Sequence, residues 1–179
     1  MDEASLAMAV IKSKYLASPA RKSTWARSKV KYGFIPELPN LYDNFSVEYN
    51  LKLFARLFRV SPERIEQVLE QFGLLKFRSS QVRVLSKGLK QRLSIARSIL
   101  PDPPVIIFDE PTAGLDYNIT KEIHELLKNL HESGKTILFT SHSREETKEL
   151  ATRVINLQEG KMVFDGLPND EKCIYISLQ

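Results

Sequence analysis

The sequence predicts an α/β fold, a parallel sheet with crossover helices that carries a helix-rich insert. Three observations predict it. Short apolar runs alternate with amphipathic helical segments through the second half of the chain, as in VIIF (105–108), then 118–132, then TILFT (136–140). The run VIIF ends in two adjacent acids, Asp109 and Glu110, the sequence form of a buried strand whose carboxyl end carries chemistry. The 179 residues are 42% hydrophobic, enough for a core and too many for a disordered chain.

Taken in order, residues 4–16 read as a short Ala-rich helix with Met8, Ile11 and Tyr15 on one face, and Pro19 ends it. This belongs to a basic leader, expected over 1–28 as a helix plus linker. Residues 1–32 hold seven Lys or Arg against two acids and no glycine, whereas the remainder is close to neutral. A solvated helix explains such a leader; Asp2 and Glu3 argue against a targeting peptide, and no apolar stretch follows to make a secretion signal. The run VKYGFIP reads as a strand that leaves the core at Pro36. Residues 47–58, with Leu53, Phe54, Leu57 and Phe58, read as a helix. Ser61-Pro62 opens another, as N-cap and first position, with Ile65, Val68, Leu69 and Phe72 as its apolar stripe and Gly73 as its end.

The helix over 118–132 buries Ile119, Ile123, Leu126, Leu127 and Leu130, and Gly134 closes it. Ser143 and Glu146 form a capping box for a helix at 144–151. VINL and KMVF are two last strands joined through Gly160, and 167–179 is a tail. The lone Cys173 excludes an internal disulfide and a cysteine metal cage, and fits a reducing compartment. No run reaches the roughly 18 apolar residues of a membrane span, so a membrane role would go through a partner.

Two adjacent acids at a strand's carboxyl end suit Mg²⁺ on a nucleotide and the polarising of an attacking water. They are followed at once by PTAGLD, giving DEPTAGLD over 109–116, and preceded by LSKGLKQRLSIAR over 85–97. Together these resemble the nucleotide-binding domain of ABC (ATP-binding cassette) ATPases, a P-loop NTPase-like fold. Leu85-Ser86-Lys87-Gly88-Leu89 is similar to the LSGGQ signature, Asp109-Glu110 to the Walker B acids and Asp116 to the end of the D-loop. His142 is similar to the switch histidine, 32 residues after Glu110, and Gly33-Phe34-Ile35-Pro36-Glu37 to the Q-loop. The resemblance runs from about Ala26 to about Gly166, with a partial nucleotide-binding domain over 29–166 and its helical subdomain at about 40–84.

The resemblance implies ATP and Mg²⁺ as cofactors, with Glu110 as general base and His142 on the γ-phosphate. Asp109, with Glu37, would serve the metal, and Ser86, Lys87, Gly88, Glu37 and Asp116 the nucleotide. A helix N-terminus after Ser86 supplies the physical means to hold phosphate oxygens. The implied partners are a membrane-spanning transporter subunit and a second nucleotide-binding subunit, as homo- or heterodimer. The implied place is the cytoplasmic, inner face of the cell membrane. Nucleic acid is not an expected partner: chromosome-maintenance relatives separate their halves by a long coiled coil, and translation-associated relatives carry two cassettes. Lys87 and Leu89 depart from the signature, and Glu37 from the Q-loop glutamine. These variants resemble the exporter subfamily, as does LYDNFSVEYNLKLFARL.

The family's Walker A loop, G-x-x-x-x-G-K-[ST], is not found. The chain has seven glycines, and the first is Gly33. Lys22-Ser23-Thr24 has Arg21 in place of glycine and lies 15 residues before Glu37, too close for the intervening strand and helix. Gly134-Lys135-Thr136 precedes a strand instead of following one, and Trp25 reads as packing near the Q-loop strand. The expectation is therefore a domain without the N-terminal part of its core, unable to hydrolyse ATP alone, and marginally stable unless the helix at 4–16 covers the gap. Two alternatives stand beside the exporter ATPase: a non-catalytic partner lending its signature to another subunit's site, and a gene fragment.

Overall fold

A computed structural model of the chain describes residues 6–11, 32–158 and 161–170. Its centre is a six-stranded sheet built from β1 (Leu6–Ile11), β2 (Tyr32–Ile35), β3 (Val105–Phe108), β4 (Thr136–Ser141), β5 (Arg153–Gln158) and β6 (Lys161–Gly166), in the order β2-β3-β4-β1-β5-β6. The strands β2, β3 and β4 are parallel, with Ile35 beside Phe108 and Phe108 beside Phe139. The side chains of Ile35, Phe108 and Phe139 are fully buried, whereas Tyr32 and Phe34 on the other face of the edge strand β2 are exposed. The sheet closes with the antiparallel pair β5 and β6.

The helix expected over 4–16 is corrected where it is described: Leu6–Ile11 is a strand. It lies antiparallel to β4, with Ala9 opposite Phe139, and antiparallel to β5, with Ala9 opposite Val154. LAMAVI is six apolar residues without a break, so it shows neither the helical nor the strand period. Backbone demand decides the outcome. Two flanking strands offer unpaired N–H and C=O groups on facing edges, and a strand between them satisfies both rows. The expected gap in the core is thus occupied in the described structure. The rest of the leader, with Lys22-Ser23-Thr24 and Trp25, lies outside the described residues, as do Gly160 and Cys173.

Helices α1 (Val47–Phe58) and α2 (Pro62–Gln71) precede α3 (Lys87–Ile99), α4 (Tyr117–Glu132) and α5 (Arg144–Leu150). Ser46 caps α1 by accepting from the Tyr49 N–H at 3.1 Å. Ser61 stands at the N-cap of α2 with Pro62 behind it, but makes no side-chain capping bond. The stripe Ile65, Val68, Leu69 and Phe72 is buried. It shares one core with Leu51 of α1, Leu93 and Ile95 of α3, and Phe108 and Phe139 of the sheet. Helix α3 packs on β2 so closely that a Cβ on Gly33 would lie 2.9 Å from the Ser98 carbonyl oxygen. The glycine is required by that approach. Helices α4 and α5 pack on β4, which sets their N-termini beside the carboxyl ends of β3 and β4.

Candidate active site

Asp109 leaves β3 with its N–H still donating to the Ile35 carbonyl of β2 at 2.9 Å. From β4, the Thr140 hydroxyl donates to Asp109 Oδ1 at 2.8 Å and accepts from the Glu110 N–H at 3.0 Å. One hydroxyl therefore fixes both acids at the end of the sheet. The sequence reading does not single out Thr140; the available signal is a hydroxyl closing an apolar run at the carboxyl end of a strand.

Glu110 holds a left-handed backbone, φ +47°, a conformation that costs a side-chain-bearing residue on the order of 1 kcal/mol. Its Oε1 lies 3.4 Å from Nε2 of His142, which follows β4, without the alignment of a hydrogen bond. That buried oxygen has no hydrogen-bond partner. Burial raises the Glu110 pKa above 4.5, the nearby His142 opposes this, and the charges of Glu146 and Asp109 add to the rise. The His142 side chain is 42% exposed against 18% for Glu110. The histidine can reach a ligand at the surface while the carboxylate waits half-sheltered behind it.

A second group forms around the loop 111–116. Ser86 is exposed at the N-cap of α3 and accepts from the Leu89 N–H at 3.3 Å. Gly88 is buried, and a Cβ there would meet Ile119 Cγ2 at 2.7 Å, so the glycine lets α3 approach α4. The Lys87 ammonium donates to the carbonyls of Ala113 and Gly114, and Gln91, one turn on, donates to that of Pro111 at 3.0 Å. Asp116 caps α4, accepting from the Ile119 N–H at 3.0 Å. Lys90 pairs with Asp43 and Arg92 with Glu122, so both serve the surface of the fold.

Asp109, Glu110 and His142 are thus brought together, while Ser86, Lys87, Gly88 and Asp116 frame the next loop. Glu37 is exposed on the bend two residues past β2. The parallel pairing of β2 with β3 puts it at the same end of the sheet as Asp109. Among the described residues no three His, Cys, Asp or Glu side chains assemble a metal cage. Two adjacent carboxylates fit Mg²⁺, which keeps its waters and is held by one or two carboxylates together with substrate phosphates. The unpartnered Glu110 oxygen fits the same chemistry.

A family model described as ABC transporter matches residues 8–113. The chain is 38% identical over 148 residues to the Nod factor export ATP-binding protein I of Cupriavidus metallidurans, covering 80% of this chain and 49% of the relative. It is 39% identical over 154 residues to the Rhizobium meliloti protein of the same name, covering 81% and 45%. With that of Paraburkholderia xenovorans it shares 38% over 153 residues, covering 83% and 50%. The chain spans about half the length of the curated relatives it matches.

Proposed function

Because the chain belongs to the ABC transporter family, we propose that it is part of the ATP-binding subunit of a membrane exporter, with Asp109, Glu110 and His142 at the hydrolytic end of its site. The observation that carries this reading is the 3.4 Å approach of Glu110 Oε1 to His142 Nε2 at the carboxyl ends of adjacent parallel strands. A desolvated carboxylate with raised pKa is a better base than a solvated one, and its free oxygen can take a proton from water. The exposed imidazole can donate to a terminal phosphate. Asp109, held by Thr140, would hold Mg²⁺ with Glu37 nearby, and bound Mg²⁺ would neutralise phosphate charge. Ser86 and the N-terminus of α3 would face the phosphates of a nucleotide bound on a second nucleotide-binding subunit.

The names of the relatives support an exporter. An exposed row at four-residue spacing, Phe45, Tyr49, Leu53 and Leu57, supports docking of the segment at 40–84 on a membrane-spanning subunit. No helix among the described residues is long and apolar enough to cross a membrane. In this reading the subunit sits at the inner face through that partner.

A second reading is a partner that lends its signature without turnover of its own. It is favoured by Ser86, which is exposed at the N-terminal end of α3. The full chain, mixed with a chain bearing such a loop, separates the two by its ATPase activity. Loss on both Ser86→Arg and Glu110→Gln supports the first reading. Loss on Ser86→Arg alone supports the second, and activity insensitive to either variant overturns both.

A further inference from the structure

Glu146 is 4% exposed and lies in the first turn of α5. Only half of the expected capping box forms: the Glu146 N–H donates to the Ser143 hydroxyl at 3.1 Å, but its carboxylate turns inward instead of back to the Ser143 N–H. That N–H is taken by the Ser141 hydroxyl oxygen at 3.0 Å. The Glu146 carboxylate accepts from Thr112 Oγ1 at 2.8 Å, from Ser141 Oγ at 2.5 Å, and faces His124 Nε2 at 3.2 Å.

One hydroxyl, Thr112, lies in the loop after β3, and the other, Ser141, is the last residue of β4, where the loop carrying His142 begins. Thr112 lies two residues after Glu110, and Ser141 directly precedes His142. We propose that Glu146 is the positioning residue of the site: its buried carboxylate ties the loop after β3 to the loop after β4, and so sets the separation of Glu110 and His142.

Chemistry favours a carboxylate for this task. It accepts along several directions and donates along none, so two loops can close on it from different sides. A buried hydrogen bond to an ionised acceptor is among the strong ones, and it leaves its donor unpaired if the acceptor is deleted. Two other carboxylates and a cation complete the surroundings. His124 Nδ1 faces Glu149 at 3.0 Å, and Glu149 is paired with Lys128. His124 thus stands between two acids and holds Glu146 from the α4 side. The negative charge of Glu146 also reaches Glu110, adding to the rise of its pKa.

The inference rests on the hydrolytic reading only for its kinetic consequence; its structural consequence is independent. Amide exchange by mass spectrometry on the full chain tests the latter. Thr112→Val, which removes one arm, is expected to speed exchange about ten-fold or more both in 111–116 and in 141–143, leaving β3 and α2 unchanged. Faster exchange confined to 111–116, or no change in either loop, overturns the proposal. Glu146→Leu is expected to loosen both loops more, and Glu146→Gln to restore them, because each hydroxyl can rotate to meet an amide. Equal loosening by Gln and Leu overturns it.

The spectroscopic mark is the His124 ring. Its titration is expected to move to lower pH in Glu146→Gln while the loops stay ordered, and an unmoved titration overturns the pairing. In the mixed-chain ATPase, Thr112→Val should lower kcat about ten-fold with KM little changed. Should the wild-type mixture be inactive, the hydrolytic reading fails while the exchange results still judge the positioning role.

Discussion

The Lys87 ammonium lies 2.8 Å from the carbonyl oxygen of Ala113 and 3.1 Å from that of Gly114, pinning the start of α3 to the loop after Glu110. With Gln91 on Pro111, three backbone carbonyls of one loop are held by two side chains a helical turn apart. From the sequence, a lysine in a glycine position of the signature reads as a cation near a polyphosphate. In the structure its donors are already directed at carbonyls of its own chain.

Lys87→Met is therefore expected to loosen the loop more than it weakens nucleotide binding. The contact is exposed, so the loss in stability should be small, about 0.5–1 kcal/mol in urea unfolding, below the ~1.5–3 kcal/mol of a sheltered hydrogen bond to a charged group. The salt dependence of nucleotide binding should keep its slope, since no phosphate contact is lost. A slope reduced by the substitution would return Lys87 to the nucleotide.

The strand Leu6–Ile11 makes a sharper prediction. Ala9 is paired with Phe139 on one side and Val154 on the other, in the interior of the sheet. Ala9→Pro removes a ladder donor there, and proline is tolerated only at edges and bulges. A cost of about 3 kcal/mol or more is expected, a large share of a domain's typical stability of about 5–15 kcal/mol. A helix at the same position would also suffer, so Ala9→Val distinguishes them. A β-branched residue should be neutral or favourable in the strand and mildly unfavourable in a helix. Thermal melts of the two variants check both.

That strand also marks the limit of what the sequence conveys. VIIF and TILFT were legible because each is short, apolar and bounded by turn residues, and the stripe from Ile65 to Phe72 because its spacing repeats the helical period. LAMAVI offered no period, and its state was set by strands more than a hundred residues away. The site divides in the same manner. Asp109, Glu110 and His142 were legible from strand ends and motif order. Thr140 and Glu146 act through contacts across about 30 residues of chain, Thr140 to Asp109 and Glu146 to Thr112, which no local pattern contains. The Ser143 cap was legible, but the direction of the Glu146 side chain was not.

His124 gives stability a pH dependence. Both ring nitrogens face carboxylates, Nδ1 toward Glu149 and Nε2 toward Glu146, an arrangement in which only the protonated ring donates to both. Burial favours the neutral ring, but the two acids override it, and the pKa is raised above 6.5. A raised pKa in the folded state contributes stability that is complete below about 6.5 and lost as pH rises through the folded value. Urea midpoints should thus decline from pH 6 toward pH 9, and His124→Gln should flatten that decline. An unchanged slope would place the titrating group elsewhere.

Glu110 works in the opposite sense. Burial first, then the charges of Glu146 and Asp109, raise its pKa above 4.5, with His142 pulling the other way. An acid whose folded pKa is raised costs stability once it ionises; the cost is complete above the folded value and vanishes below the unfolded one. Its buried, unpartnered Oε1 says the same in structural terms. Glu110→Gln should therefore stabilise the chain at pH 7 by on the order of 1 kcal/mol, the usual gain when an active-site group is relaxed, and by nothing at pH 4. Glu110→Gly should add relief of the φ +47° backbone at both pH values. Denaturant melts at the two pH values check this, and a Glu110→Gln that destabilises at pH 7 would show that the carboxylate holds the fold together. In that event its placement beside His142 would need no catalytic explanation. A gain at pH 7 would instead mark a group kept against stability, as sites kept for chemistry are.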